Sequence, residues 1–170
     1  MKEDSPAYPM TARVTDAMIA YYSGDMRRIT HFLAVYGFAK AIGEYEQLDA
    51  PTQEILEIAA LTHDIGIRPS LEKFGKSSAA TQQTEGPPAA RAMLAALGCP
   101  ENVIDRVCWL ISRHHTYGNI EGRDYQILVE ADFLVNITGR AMEEGTIRKL
   151  KKNIFRTEAG LRFLAAIYGV

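Results

Sequence analysis

Apolar residues recur three and four positions apart along nearly the whole chain, while alternation of apolar with polar residues is almost absent. The first spacing places side chains on one face of a helix and the second would mark a half-buried strand, so the pattern predicts an all-α protein. A first helix is expected over 10–22, ending near Ser23-Gly24, and Asp25 is placed to cap a second that runs to Glu44. Ala50-Pro51 opens a third, with proline where a missing N–H costs nothing, and Ile55, Ala59 and His63 fall on its inner stripe. From Gly66 to Gly86 the pattern breaks into a polar stretch, read as a loop or a frayed short helix. Pro87-Pro88 then opens a helix to Gly98, Cys99-Pro100 interrupts, and another runs from Glu101 to His115. After the turn-rich YGNIEGR comes a long helix from Arg123 to Gly145, and the basic remainder is expected to add two shorter ones.

A length of 170 residues fits one domain, with its functional core over about 25–140 and basic C-terminal helices over 145–170. At 47% hydrophobic and 24% charged residues the composition is that of a folded protein. A net charge of -2 gives no overall footprint for nucleic acid. The balance is uneven, because Arg148, Lys149, Lys151, Lys152, Arg156 and Arg162 face only Glu158 beyond Gly145, a surface suited to anions or simply a solvated helix face. No apolar run approaches the roughly 18 residues of a membrane span, and the N-terminus lacks an apolar leader segment, so the chain reads as cytoplasmic without a membrane partner. Cys99 and Cys108 do not form a CxxC and read as free thiols. Tyr21-Tyr22 and the terminal FLAAIYGV could pack within the bundle or against a second copy, leaving monomer and homodimer open.

The chemistry lies in the histidines. His31 shares a face with Val35, Phe38, Ala39 and Ile42, and His63 ends its helix beside Asp64 in the tetrapeptide HDIG. His114 and His115 each follow apolar positions of their helix, so either could face inward. Asp132 sits among Leu128, Ala131 and Val135 in LVEADFLVN. A carboxylate on an apolar stripe costs several kcal/mol unless something compensates its charge. A divalent cation held by Asp64 and Asp132 would do so, and a mixed imidazole and carboxylate set suits iron, manganese, nickel, cobalt or zinc.

The ordered set His31, His63-Asp64, Asp132, with AALTHDIG around the pair, resembles the HD-domain superfamily of metal-dependent phosphohydrolases over about residues 25–140. The resemblance implies a helical bundle with a metal site in its core. EGPPAARAMLAALG followed by HHTYGN is also similar to the two-metal subset, among them bacterial dinucleoside-tetraphosphate hydrolases. On that resemblance His31, His63, Asp64 and Asp132 bind a first metal, Asp64 bridges to a second, and Glu85 with His114 or His115 completes the second site. The chain departs from that subset in carrying Glu85 where relatives place a histidine, and Ile67-Arg68 where many carry lysine. Glu85 is therefore read three ways, as ligand, as acid or base near the metal, or as a cap at a helix N-terminus.

The expected reaction is hydrolysis of a small phosphorylated substrate, a nucleotide foremost, by a metal-activated water, with Asp64, Glu85 and Arg68 catalytic. Arg68 and Lys76 lead the candidates for binding the phosphoryl group, ahead of Arg27, Arg28, Lys73 and Arg113, and Tyr117 and Asn119 could contact a base or ring. The same ligand set would also suit a two-iron oxygenase of this fold, or a non-catalytic, metal-stabilised nucleotide-binding module.

Overall fold

The structure, a computed structural model, describes residues 8–170; the first seven residues of the leader-less N-terminal reading lie outside it. Nine helices and no strands are found among the described residues. They are α1 (Met10–Tyr21), α2 (Met26–Tyr45), α3 (Ala50–Thr62), α4 (Ile67–Phe74), α5 (Ala79–Ala96), α6 (Glu101–Ile111), α7 (Arg123–Gly139), α8 (Glu144–Asn153) and α9 (Glu158–Tyr168). None is long and apolar enough to cross a membrane.

α3 is the central element, packed on α1, α2, α6 and α7. Its last seven residues, Leu56 to Thr62, are all buried, so this helix has no solvent face where it approaches the site. α2 and α7 clasp it and run antiparallel, since His31 near the start of α2 meets Asp132 midway along α7 while Glu46, just past α2, meets Arg123 at the start of α7. Asp25 caps α2 by accepting from the Arg28 backbone N–H, as the sequence leads one to expect, and Asp49, not singled out in the sequence, caps α3 by accepting from that of Thr52. Cys99 and Cys108 are buried and unpaired.

The polar segment 66–86 is the main departure from the sequence reading. Gly66 to Gly86 contains α4 and the first half of α5, whose start is set at Ser78: its hydroxyl accepts from the Thr81 N–H, and the Thr81 hydroxyl accepts from the Ser78 N–H. Pro87 and Pro88 lie inside α5 rather than at its opening. Each removes one helical hydrogen bond, a cost of about 3 kcal/mol in an ordinary helix interior. Tight packing offsets it. A Cβ on Gly86 would stand 2.6 Å from Ile111 Cγ2, and one on Gly66 would stand 2.6 Å from the Gln82 carbonyl oxygen, so glycines let α4, α5 and α6 close together. α6 ends at Ile111 and α7 at Gly139, four and six residues before the sequence-based bounds, leaving His114-His115 in a turn.

The C-terminal helices are fastened through a buried acid. Glu130 on α7 accepts from the backbone N–H of Arg156 at 2.6 Å and Thr157 at 3.0 Å, from Gln126, and from the Thr157 hydroxyl. Those donors lie just before α9, whose own first-turn N–H groups of Ala159 and Gly160 donate to Glu46 Oε1 and the Thr157 hydroxyl. Burial raises the Glu130 pKa and the donors pull it back, with burial the larger effect.

Candidate metal centre

Four separate elements converge at the end of α3. His31 comes from the second turn of α2, His63 and Asp64 from the turn after α3, His114 and His115 from the turn after α6, and Asp132 from the middle of α7. Nε2 of His31 stands 3.3 Å from Oδ2 of Asp64 and 3.3 Å from Oδ1 of Asp132. Nε2 of His63 stands 3.5 and 3.4 Å from the same two oxygens. The other oxygen of Asp64 faces Nε2 of His114 at 3.6 Å. Two ligand groups result, His31-His63-Asp64 and Asp64-His114-His115, in each of which the ligating atoms lie within 4.8 Å of one another. Asp64 belongs to both.

Backbone carbonyls set the tautomers. Nδ1 of His63 donates to the Ala60 carbonyl oxygen at 2.7 Å, and Nδ1 of His114 donates to that of Ile111 at 2.8 Å. Each Nδ1 is thereby engaged, and each Nε2 is the ring atom turned toward the carboxylates and left to bind a metal. Nε2 of His115 lies 2.9 Å from Gln82 Oε1, and Oε1 of Gln83 accepts from the His115 backbone N–H at 3.1 Å. The Tyr22 hydroxyl donates to the Asp64 carbonyl oxygen at 2.9 Å, so α1 holds the HD turn from the other side.

Two buried acceptors, His114 Nε2 and Asp132 Oδ1, have no hydrogen-bond donor. An orphaned buried acceptor is destabilising, and here two of them face a shared space lined by further nitrogen and carboxylate oxygen atoms. That donor set fits a divalent cation of the borderline or hard class, with His31, His63, Asp64 and Asp132 around one position and Asp64, His114 and His115 around an adjoining one.

The charges are strongly perturbed. Burial lowers the His31 pKa, but the nearby Asp132 and Asp64 carboxylates outweigh it and raise the value to about 9. For His63 burial again opposes the proton and Asp64 and Asp132 again prevail, giving a raised value. Asp132 and Asp64 shift the other way: burial would raise both, yet the surrounding imidazoles hold them below the usual carboxylate range. The His115 pKa is lowered to about 4 by burial and then by the neighbouring His114 ring, and so His115 is neutral and able to ligate at physiological pH.

Residues expected beside the centre divide into those near it and those engaged elsewhere. Glu85 belongs to neither ligand group; it lies in the interior of α5, not at a helix N-terminus, and its Oε1 is 3.0 Å from Lys73 Nζ. The cap reading fails because α5 begins at Ser78, well before the prolines. Arg68 turns away, bonding Glu72 at 3.0 Å and the Tyr21 carbonyl oxygen at 2.8 Å. Lys76 is exposed between α4 and α5. Tyr117 packs on Phe133 with ring centroids 5.1 Å apart, and burial, then the Asp132 charge, pushes its pKa up to about 12. Asn119 is exposed and bonds Glu121 two residues on, a turn contact.

A cavity of about 600 Å³ opens beside His31 and Asp64. Its walls include Arg27, Arg28 and Arg140, with Met18, Tyr22, Phe38, Leu134, Val135 and Ile167, and none of Arg68, Lys76, Tyr117 or Asn119 lines it. Arg140, Gln82 and Gln83 were not singled out in the sequence. Arg140 follows Asp132 by eight positions and so shares its helix face, a signal that was there to read. The two glutamines were hidden in a stretch read as loop.

The HD domain family model matches residues 28–156. The chain belongs to the HD-domain family. The matched span takes in the ligating residues, from α2 through α7, and extends past the end of α8. No curated protein matches the chain. Among solved structures, the crystal structure of a predicted HD superfamily hydrolase from an uncultured Thermotogales bacterium is similar at 23% identity and a TM-score of 0.67, covering 95% of this chain and 86% of that one. At that identity the likeness is one of fold.

Proposed function

We propose that this HD-domain protein is a metal-dependent phosphohydrolase acting on a nucleotide or another small phosphoester or phosphoanhydride. One observation carries the reading: four elements bring imidazole and carboxylate atoms to a common point where His114 Nε2 and Asp132 Oδ1 are buried without donors. The likeness to a structure titled as a predicted hydrolase agrees with it.

A bound divalent cation would lower the pKa of a coordinated water and polarise a phosphoryl oxygen. The chain's own residues do the rest. Asp64 has one oxygen toward His31 and His63 and the other toward His114, so its carboxylate can span both positions. Its main chain is fixed by Tyr22, which limits how far that carboxylate can drift. Arg28, one turn before His31 on the cavity wall, is placed to bind non-bridging phosphoryl oxygens and to offset the charge that spreads over them. Met18, Phe32 and Leu134 keep the inner wall apolar, which strengthens those charge contacts.

The test joins elemental analysis to an anaerobic assay of orthophosphate release from a panel of phosphoesters and nucleotides with added manganese. Wild type should carry transition metal and release orthophosphate without oxygen, and Asp64→Ala should do neither. Full turnover in Asp64→Ala, or turnover that needs iron and consumes oxygen, overturns the reading.

A further inference from the structure

The large cavity is charged at one end and apolar at the other. Because α2 and α7 run antiparallel with His31 level with Asp132, the start of α2 lies level with the end of α7. Arg27 and Arg28 at the first and Arg140 at the second both line the cavity, and all three fall on the same side of the His31-Asp132 pair. On the other side of His31 the wall is made by Ala34, Phe38 and Ile167.

The arginines differ in what neutralises them. Arg28 pairs with Asp25 at 3.2 Å. Elsewhere Arg91 pairs with Glu101 and Asp105, Arg106 with Asp124, and Arg148 with Glu144. Arg27 and Arg140 have no ion pair or side-chain hydrogen bond among the described residues, although they face one cavity. Two guanidinium groups that line one cavity without an ion partner among the described residues attract an anion, and their planar forks suit phosphate oxygens.

The geometry points to an organic diphosphate as the ligand, with one phosphate at the His31 and Asp64 edge, the second held by Arg27 and Arg140, and the organic group against Ala34, Phe38 and Ile167. The placement of the first phosphate rests on the phosphohydrolase reading. The second group follows from the two free arginines, whose charge a phosphate seated at the metal centre would leave unmatched. A volume of about 600 Å³ accommodates such a molecule, within the range usual for small-ligand sites. A nucleoside diphosphate and an isoprenoid diphosphate share this chemistry, a charged tail on an apolar or flat body.

Titration calorimetry on the full-length, manganese-loaded protein decides the matter, using adenosine and geranyl methylenediphosphonates, which resist hydrolysis, against the corresponding monophosphonates. At least one diphosphonate should bind about a hundredfold tighter than its monophosphonate, since each of the two charge-assisted contacts is worth roughly tenfold. Arg27→Ala and Arg140→Ala should each shrink that margin about tenfold, with Arg140→Lys restoring part of it. Both side chains are exposed, and circular dichroism checks that the variants stay folded. No margin in wild type, or a margin that survives in the double alanine variant, overturns the inference. So does equal affinity for plain methylenediphosphonate, which lacks the organic group. Whichever of the adenosine and geranyl compounds binds tighter identifies the source. An active hydrolase without the arginine-dependent margin removes this inference alone, whereas the margin without release of orthophosphate from any substrate removes only the hydrolase reading.

Discussion

The Nε2 atoms of His31 and His63 lie 3.3 Å apart, and each is within 3.5 Å of both Asp64 Oδ2 and Asp132 Oδ1. Two nitrogens so close cannot both present bare lone pairs to that space without a positive charge between them. Without a metal, the Asp132 and Asp64 carboxylates favour a proton on His31 against the opposing effect of burial and raise its pKa to about 9. A histidine with a folded pKa above its unfolded value of about 6.5 contributes stability that is complete below the unfolded value and is lost as pH rises through the folded one. EDTA-treated protein should therefore lose stability between pH 7 and 10 by urea denaturation, and His31→Gln should lose less over the same interval. Parallel pH profiles for the two proteins would show that His31 does not carry the proton.

Metal removal should be felt in folding as well as in turnover. A cation joining α2, α3, α6 and α7 stabilises the native state by about 2.7 kcal/mol when its free concentration is a hundred times its dissociation constant. Calorimetric melting with manganese, after EDTA, and in Asp132→Asn should give one high value and two low ones. The variant leaves His31 and His63 with one carboxylate fewer, and metal content should fall with orthophosphate release by about a hundredfold or more. Unchanged melting on chelation would mean that no ion links these helices.

Gly66 of the HDIG turn gives a sharper test of how the centre is braced. A methyl group there would meet the Gln82 carbonyl oxygen at 2.6 Å and the Gly86 nitrogen at 2.7 Å, both backbone atoms that cannot rotate aside. Gly66→Ala should push α5 outward, weaken the Gln82 and Gln83 contacts to His115, and destabilise the protein by about 1–3 kcal/mol. Denaturation curves measure the first effect and metal stoichiometry the second. Wild-type values for both would mean that the close approach of α4 and α5 is incidental.

Gly160 sets the same kind of limit at the far end of the bundle. A Cβ at this position would stand 1.9 Å from Glu130 Oε2, so Gly160→Ala must displace either the buried carboxylate or the first turn of α9. The expected loss is about 1–3 kcal/mol, because Glu130 then keeps its burial cost with fewer donors. Glu130→Gln in the same background should recover part of it. If Gly160→Ala melts with wild type, the acid is not the fastener of α9.

Much of this was legible in the sequence because it rests on spacing. Three- and four-residue periodicity gives the helices, and the same rule turns His31 and Asp132 toward the core, where they meet. The boundary of α5 was not legible, because Pro87-Pro88 is the louder local signal and the Ser78-Thr81 box needs the tertiary contacts of Gly66 and Gly86 to prevail over it. Glu85 was misplaced as a direct consequence. Arg68 shows a different limit. Its partners are Glu72, one turn on, and the Tyr21 carbonyl oxygen, 47 residues away in sequence, and periodicity says nothing about the second.

The antiparallel run of α2 against α7 works like a ruler with its marks on two facing edges. His31 and Asp132 share one mark, and Arg27 and Arg140 flank the next. Adding one residue to α7 between Asp132 and Arg140 would leave the first mark in place and swing the second about 100° around the helix. On the proposed readings, bond-breaking capacity and choice of molecule are thus written at different heights of one helix pair, and a lineage could revise the second while leaving the first untouched.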